Sequence, residues 1–232
     1  MHKMPKMEME KYSNMNKFNI GNRRYLGSKA KLIPFIKKVV EEECENISSV
    51  LDLFGGTGNV AWSFNKHDTS VIINDILESN YISYLAWFGN GEVDGDKIEN
   101  LIKIYNSSKP TEDNYFSVNF GDTFFSLENC RKIDYIRDDI ENKYSSKSIN
   151  ERERAILITS LIYAMDRIAN TVGHYDAYRL NGDLDKKLHL ELLEIPEKDI
   201  NKNNKIFCED ANTLVKRVNA DLVYIDPPYN SR

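Results

Sequence analysis

The sequence predicts an α/β fold in which a parallel sheet is interrupted by a long helical segment. Residues 49–75 contain an apolar run, a glycine-rich turn, a helical stretch and a second apolar run, which is the order of a βαβ unit. Apolar residues then recur at helical spacing from about residue 80 to residue 204. Strand-like runs return at 205–208 and 222–225, and an aspartate follows each of them closely. The pattern therefore predicts strands at both ends of the chain around a helical middle.

The composition indicates a chain that folds without disulfide bonds. With 232 residues it is long enough for a sizeable core, as one large domain or as one domain with an insertion. The cysteines Cys44, Cys130 and Cys208 are far apart and show no C-x-x-C pairing, which argues against a disulfide framework or a zinc site. There is no apolar signal core and no apolar run of membrane-spanning length. We therefore expect a cytoplasmic protein.

The charge is unevenly distributed along the chain. The formal net charge is −5, which speaks against a polyanionic partner, yet residues 1–38 hold ten lysines and arginines against Glu8 and Glu10. Such a basic arm suits contact with phosphates, and a solvated tail over residues 1–18 is an equally open interpretation.

A rigid turn follows the last apolar run, 222–225, which predicts a short buried strand. Asp226 ends this strand, and Pro227 and Pro228 make the turn stiff and rich in carbonyl acceptors. Asp226 and the Pro227 carbonyl can accept two protons of an amine while Tyr229 stacks on its ring, which suits the exocyclic amine of a nucleobase. The alternative is an ordinary strand-to-turn corner with a capping aspartate.

The first predicted strand ends in Asp52 and a glycine loop with Gly55, Gly56 and Gly58. These glycines let a ligand lie against the backbone, but their spacing is not the G-x-G-x-x-G of dinucleotide binders. Asp52 would repel a pyrophosphate, so a ligand with a cationic amino-acid end is more compatible. The next strand ends in Asp75, and an acid at that position can accept both hydroxyls of a ribose.

Asp210 is a third acid after a predicted strand, 205–208, and is well placed to accept a proton from the amino group of an adenine. A nucleoside that carries an amino acid, bound beside an amine-binding turn, indicates S-adenosylmethionine as a methyl donor.

Two polar segments have both a functional and a structural interpretation. Gly27, Ser28 and Lys29 precede an amphipathic stretch, so they predict either an anion site at a helix end or simply a helix capped by Ser28 with Pro34 in its first turn. Residues 170–179 combine glycine with aromatic and basic side chains, which suits either an opened nucleic acid or a packed loop. The candidate DNA-contacting residues of this segment are His174, Tyr175, Tyr178 and Arg179.

The motifs and their order resemble the Dam-like family of adenine-specific DNA methyltransferases, the α-ordered amino-methyltransferases of restriction-modification systems. The matching stretches are residues 24–29, 52–58, 74–75 and 226–229. The resemblance covers nearly the whole chain and implies a Rossmann-like S-adenosylmethionine-dependent methyltransferase sheet with a mainly helical inserted domain. The implied division is an N-terminal arm and cofactor-binding half at 1–89, a target-recognition insertion at 90–204 and core strands at 205–232.

The resemblance also implies roles for single residues. The implied cofactor-binding set is Tyr25, Gly27, Lys29, Asp52, Phe54, Gly55, Gly56, Thr57, Gly58, Asp75 and Asp210. Lys29 would hold the carboxylate of S-adenosylmethionine and the 52–58 loop its methionine end, while Asp75 would hold the ribose and Asp210 the adenine. The catalytic turn would be Asp226, Pro227, Pro228 and Tyr229, acting on a flipped adenine by direct methyl transfer without a metal.

Members of this family continue past D-P-P-Y, so the resemblance implies that the chain, which stops at Arg232, is incomplete. We expect its sheet to be incomplete, a complementing C-terminal chain to be a possible partner, and the isolated chain to be weakly active or inactive. Double-stranded DNA and a cognate restriction endonuclease are the other expected partners. The alternatives are a methyltransferase acting on RNA or another planar amine or amide, and a non-catalytic specificity module.

Overall fold

The computed structural model describes residues 17–23, 28–172, 175 and 177–228. The strands are Lys17–Phe18 (β1), Ser49–Asp52 (β2), Ser70–Asn74 (β3), Leu192–Leu193 (β4), Lys205–Phe207 (β5) and Leu222–Tyr224 (β6). The α-helices are Ile33–Glu43 (α1), Asn59–Phe64 (α2), Glu78–Phe88 (α3), Gly95–Ser107 (α4), Tyr115–Phe120 (α5), Leu127–Ser145 (α6), Glu151–Ile168 (α7) and Ala211–Leu214 (α8). Short 3₁₀ turns cover Ile20–Asn22, Ala30–Leu32 and Lys198–Asn201. Within these described ranges, no helix is long and apolar enough to cross a membrane.

The main sheet of the described residues is parallel and has the strand order β5-β3-β2-β6. Its two central strands, β2 and β3, are buried on both faces, as the continuous apolar runs around Val50 and Ile73 predict. Because all four strands run the same way, their carboxyl ends meet at one edge of the sheet. The predicted mixed α/β fold with a parallel sheet is confirmed, and the four aspartates that follow these strands share that edge.

Strand β6 lies at the side of the sheet and is more exposed than the sequence predicts. Among the described strands only β2 pairs with it. Val223 is 40% exposed and Ile225 is 62% exposed. The prediction of a short buried strand is wrong in this respect, because one face of an apolar run is covered only where a neighbour packs on it.

The helical middle of the chain packs against the first half through one continuous apolar core. Helices α3 and α7 pack together, and their Trp87 and Tyr163 rings lie 6.1 Å apart between centroids. Phe18 of β1 packs on the same tyrosine at 5.6 Å, and β1 pairs in parallel with β4. The segments 17–22 and 190–193 are thereby tied to the helices that lie beside the sheet.

Helix α1 begins differently from the prediction. A 3₁₀ turn, Ala30–Leu32, precedes it, and neither Lys29 nor Leu32 caps these turns with a side-chain hydrogen bond. Pro34 lies in the first turn, as predicted. Ser28 is not the cap, because its hydroxyl instead accepts a hydrogen bond from Asn59 Nδ2 at 3.2 Å. That contact ties the segment before α1 to the glycine loop.

Candidate active site

A cavity of about 830 Å³ lies at the carboxyl edge of the parallel sheet. The residues predicted for the site that line it are Lys29, Asp52, Phe54, Gly55, Gly56, Thr57, Asp75, Tyr175, Arg179, Asp210, Asp226, Pro227 and Pro228. Gly58 and Tyr178 do not line the cavity. Tyr25, Gly27, His174 and Tyr229 lie outside the described residues.

Asp52, at the end of β2, is the most deeply buried acid of the cavity. Its side chain is 1% exposed, and Oδ2 accepts a hydrogen bond from the Ala61 N–H at 3.2 Å. Oδ1 is buried and accepts no hydrogen bond from any residue in the described ranges. Burial raises the pKa of this carboxyl to about 7, and the nearby Asp226 and Asp75 also raise it. A cationic donor at Oδ1 would satisfy this unpaired acceptor and favour the charged form of the Asp52 carboxyl.

The loop between β2 and α2 needs glycine for two different reasons. A Cβ atom on Gly55 would lie 2.7 Å from Ile73 Cγ1 and 2.7 Å from Tyr84 Oη, so only glycine fits against the next strand. Gly56 and Gly58 have φ values of +54° and +79°, which disfavour other residues. The loop thus exposes backbone to the cavity without intervening side chains, as the sequence predicts.

Asp75 follows β3 and is held by a dense set of donors. Oδ1 accepts from the Leu77 N–H at 2.9 Å, and Oδ2 accepts from the Gly56 N–H at 3.0 Å. Asn80 Nδ2 also donates to Oδ2 at 2.8 Å. These bonds fix the carboxylate at the cavity wall, against the glycine loop.

Asn74 positions the third acid, and the sequence analysis assigned it no role of its own. Its Nδ2 donates to the carbonyls of Leu53 and Glu209, each at 3.1 Å, and its Oδ1 accepts from the Glu209 N–H at 3.1 Å. The chain after β5 is thereby fixed, and Asp210 reaches the cavity. Asp210 Oδ1 also caps the short helix α8 by accepting from the Thr213 N–H at 3.1 Å.

The two sides of the cavity meet at an ion pair between Lys29 Nζ and Asp226 Oδ2, 2.8 Å apart. The side chains are 17% and 25% exposed, so the pair is reachable from the cavity. The lysine cation offsets part of the negative charge of Asp52, Asp75 and Asp226. The sequence analysis placed Lys29 on the cofactor and Asp226 on the target amine, and it did not predict their contact with each other.

The segment after α7 supplies the wall opposite the sheet. The Tyr175 hydroxyl donates to Asp166 Oδ1 at 3.0 Å, and its ring lies against Phe124 at 5.9 Å between centroids. Tyr178 packs edge-on against the same phenylalanine at 5.3 Å. Asn170 Nδ2 donates to the Arg179 carbonyl at 2.9 Å and so holds the two ends of the segment together. Both tyrosines are nevertheless about half exposed.

Several cavity residues were not among those singled out from the sequence: Arg23, Asn59, Ile76, Leu77 and Asp166. Thr171 and Val172 also line the cavity and belong to the segment 170–179 that the sequence singled out. Ile76 is 69% exposed and Leu77 is 46% exposed, directly after the ribose-binding candidate Asp75. Apolar side chains that face an open cavity are typical of residues that contact the flat surface of a ligand. Their position immediately after a strand-end acid was the signal that could have identified them.

The fold and the cavity define an α/β protein whose strand-end acids and glycine loop surround one ligand site. The chain belongs to the D12 class N6 adenine-specific DNA methyltransferases, because the model of this family matches residues 25–232.

Curated relatives agree with the family. "Modification methylase StsI" of Streptococcus sanguinis is 38% identical over 90% of this chain, and "Type II methyltransferase M.FokI" of Planomicrobium okeanokoites is 35% identical over 90%. "Type II methyltransferase M.NlaIII" of Neisseria lactamica is 31% identical over 90% of this chain. The chain spans 34% of the length of the first two and 64% of the third.

Proposed function

We propose that this chain binds S-adenosylmethionine and a flipped DNA adenine in the one cavity, and that it carries the site for methyl transfer to the exocyclic nitrogen of that adenine. The observation that supports this most is that two sets of residues with different chemistry line the same cavity. Strand-end acids suited to an amino-acid-bearing nucleoside line the same cavity as Asp226, Pro227 and Pro228. Family membership favours the same chemistry.

The residues of the cofactor side fit the proposed methyl donor. Asp52 Oδ1 is a buried acceptor that no donor of the described residues satisfies, and the glycine loop beside it leaves room for a ligand against the backbone. An ammonium group would satisfy Asp52 Oδ1, and ribose hydroxyls would share the Asp75 carboxylate with its present donors. Ile76 and Leu77 offer apolar surface to an adenine ring, and Asp210 offers an acceptor to its amine.

On the target side, Asp226 and the carbonyl of Pro227 would accept hydrogen bonds from the two N–H groups of the adenine amine. That nitrogen is a poor nucleophile, because its lone pair is delocalised into the ring. The two hydrogen bonds would localise the lone pair towards the sulfonium methyl group that the cofactor supplies when bound. The methyl–sulfur bond would break as the nitrogen–carbon bond forms, S-adenosylhomocysteine would be the leaving group, and the nitrogen would lose one proton to solvent. The proposed roles of the protein are orientation and charge placement. The stacking role of Tyr229 and the DNA contacts of His174 and Tyr178 stay predictions.

The wider assignments are proposals of the same kind. We infer that residues 1–89 and 205–232 form the Rossmann-like cofactor and catalytic part and that 90–204 recognises the target. Double-stranded DNA is the proposed substrate, within a restriction-modification system that also contains an endonuclease. The helical segment supplies Tyr175 and Arg179 to the cavity, which supports a role in holding the target.

The test measures cofactor binding and methyl transfer in separate experiments. Calorimetry of the full chain with S-adenosylhomocysteine should show one site per chain. Incubation with labelled S-adenosylmethionine and unmethylated DNA, with a complementing C-terminal segment present and followed by nucleoside mass spectrometry, should give N6-methyladenine. Label in cytosine, RNA or protein instead would overturn the proposed substrate, and a chain that binds no S-adenosylhomocysteine would overturn the proposed cofactor.

A further inference from the structure

A line of polar side chains, buried at its centre, connects the two sides of the cavity. It consists of Asp75, Asn80, Arg23, Asp166 and Tyr175, and we refer to it as the polar relay. Its ends, Asp75 and Tyr175, both line the cavity, one on the cofactor side and the other on the target side. The inference below rests on the proposed function, because it takes Asp75 to be the acceptor of ribose hydroxyls.

The relay begins at an oxygen whose lone pairs already have donors. Asp75 Oδ2 accepts from the Gly56 N–H at 3.0 Å and from Asn80 Nδ2 at 2.8 Å, while the nearby Tyr84 hydroxyl donates its proton to the Gly56 carbonyl at 2.8 Å. A carboxylate oxygen offers about two lone-pair sites. A ligand hydroxyl that donates to Oδ2 therefore has to displace or weaken one of the two present donors. The backbone N–H is fixed by the glycine loop, so the side chain of Asn80 has to adjust.

An adjustment of the Asn80 side chain changes its hydrogen bond with Arg23. Asn80 is fully buried, and its Oδ1 accepts from Arg23 Nη1 at 2.6 Å. Arg23 Nε lies 3.9 Å from Asp166 Oδ2, and the two side chains are only 9% and 7% exposed. Charges so poorly hydrated attract each other more strongly than surface charges do. A shift of the guanidinium therefore changes the field at Asp166.

Asp166 in turn holds the target side. It lies in the last turn of α7, and the Tyr175 hydroxyl donates to its Oδ1 at 3.0 Å. The residues that follow the helix, including Thr171 and Val172, line the cavity together with Tyr175. The position of this wall depends on a hydrogen bond to the same carboxylate that faces Arg23.

We propose that Arg23 and Asp166 are positioning residues that couple occupation of Asp75 to the position of the target-side wall. Binding of the adenosine part of the cofactor orders residues 169–172 and 177–179 through the polar relay. Coupling between two sites is reciprocal, so an ordered target-side wall also strengthens cofactor binding. The relay lets the protein present an ordered adenine-binding wall when the methyl donor is in place.

The test is hydrogen–deuterium exchange of the full chain with and without S-adenosylhomocysteine as the probe. In the wild-type chain, the probe should slow exchange of amides 169–172 and 177–179 by about fivefold or more, the lower end of usual coupling between two sites. Tyr175→Phe removes only the hydroxyl that donates to Asp166. In this variant the protection should fall towards zero, and because the coupling is reciprocal, calorimetry should show the probe still binding but about fivefold more weakly. Arg23→Gln should have the same effect on the protection.

The matched control is Tyr105→Phe. The Tyr105 hydroxyl also donates to an aspartate, Asp139 at 2.8 Å, but neither residue lines the cavity. This variant should keep the full protection by the probe. The inference is overturned if Tyr175→Phe also keeps it, or if the wild-type chain binds the probe without any protection at these amides. A wild-type chain that does not bind the probe overturns the proposed cofactor instead, and the relay with it.

Discussion

The proposed cofactor side of the cavity, around Asp52 and Asp75, and its proposed target side, around Asp166 and Asp226, differ in the groups that contact their carboxylates. On the proposed cofactor side, the carboxylates of Asp52 and Asp75 accept hydrogen bonds from the backbone N–H groups of Ala61, Gly56 and Leu77. On the proposed target side, the carboxylates contact side chains. Asp226 pairs with Lys29, and Asp166 accepts a hydrogen bond from the Tyr175 hydroxyl.

The difference indicates which side is preorganised. These backbone donors lie in the loops and helix starts that directly follow β2 and β3, so they move only if those elements move, and the proposed cofactor side is fixed by the fold itself. A partly exposed ion pair such as Lys29 with Asp226 is worth little to stability, and its partners can be exchanged for ligand groups. Substitutions on the target side should therefore reduce turnover more than stability, and those on the cofactor side should change both.

The largest expected effect is that of Asp226→Ala. The variant loses a carboxylate that would orient the adenine amine, and preorganised hydrogen bonds of this kind are worth about 10²–10³-fold in rate. We expect methyl transfer to DNA to fall by about that factor, while the affinity for S-adenosylhomocysteine changes only about threefold, as for a surface ion pair. Single-turnover transfer of labelled methyl groups and calorimetry measure the two quantities.

Asp221→Asn is the control at the other end of the same strand. Asp221 Oδ2 accepts hydrogen bonds from the N–H groups of Ser48 at 3.0 Å and Ser49 at 2.9 Å, outside the cavity. The hydroxyl and N–H donors of these serines lower its pKa to about 2. Its contribution to stability is therefore present above pH 4 and is lost as the pH falls towards 2. The variant should melt earlier at neutral pH but keep its turnover. An equal loss of turnover in both variants would show that damage to the strand explains the effect of Asp226→Ala.

On the cofactor side, Gly55→Ala should lower both the free energy of unfolding and the affinity for S-adenosylhomocysteine. The new Cβ would lie 2.7 Å from Ile73 Cγ1, inside a packed strand, so the loop has to shift. Overpacking of this kind costs about 1–3 kcal/mol of unfolding free energy. The displaced loop should also weaken S-adenosylhomocysteine binding by about tenfold, equivalent to about 1.4 kcal/mol. Urea denaturation and calorimetry give the two values.

Gly95→Ala provides the comparison for that substitution. A Cβ at Gly95, the first residue of α4, meets no atom within 4 Å. The same chemical change should be neutral there or stabilise by about 0.4–1 kcal/mol, because the unfolded chain loses freedom. If Gly55→Ala behaves in the same way and binds the probe normally, then the close approach of the loop to β3 is not essential.

The comparison also explains how much the sequence could predict. The strands 49–52, 70–74, 205–207 and 222–224 were all predicted, because short apolar runs that end in an acid are a local signal. Since parallel strands bring their carboxyl ends to one edge, the predicted acids of the cofactor side had to meet there. That side is built from local motifs, so spacing along the chain was enough to find it.

The target side could not be predicted in the same way, because it depends on contacts between distant residues. Lys29 meets Asp226, and Arg23 meets Asp166, only after the chain has folded. The exposure of Ile225 also depends on which strands lie beside β6, and no property of the residue itself reveals that.

The smallest expected effect is a pH dependence that originates at Asp52. Burial raises its pKa to about 7, so the unliganded folded chain binds this proton more tightly than the unfolded chain does. This contribution to stability is present below pH 4 and is lost as the pH rises through 7. Binding of the ammonium group of S-adenosylhomocysteine requires the charged carboxylate, so the affinity should change in the opposite direction. The affinity should fall by up to about tenfold for each pH unit below 7.

Calorimetry between pH 5.5 and 8.5, in about three buffers of different ionisation enthalpy, should also show release of one proton on binding below pH 7. In Asp52→Asn both pH dependences should disappear together with most of the affinity, whereas an unchanged pH profile in that variant would assign the titration to another group.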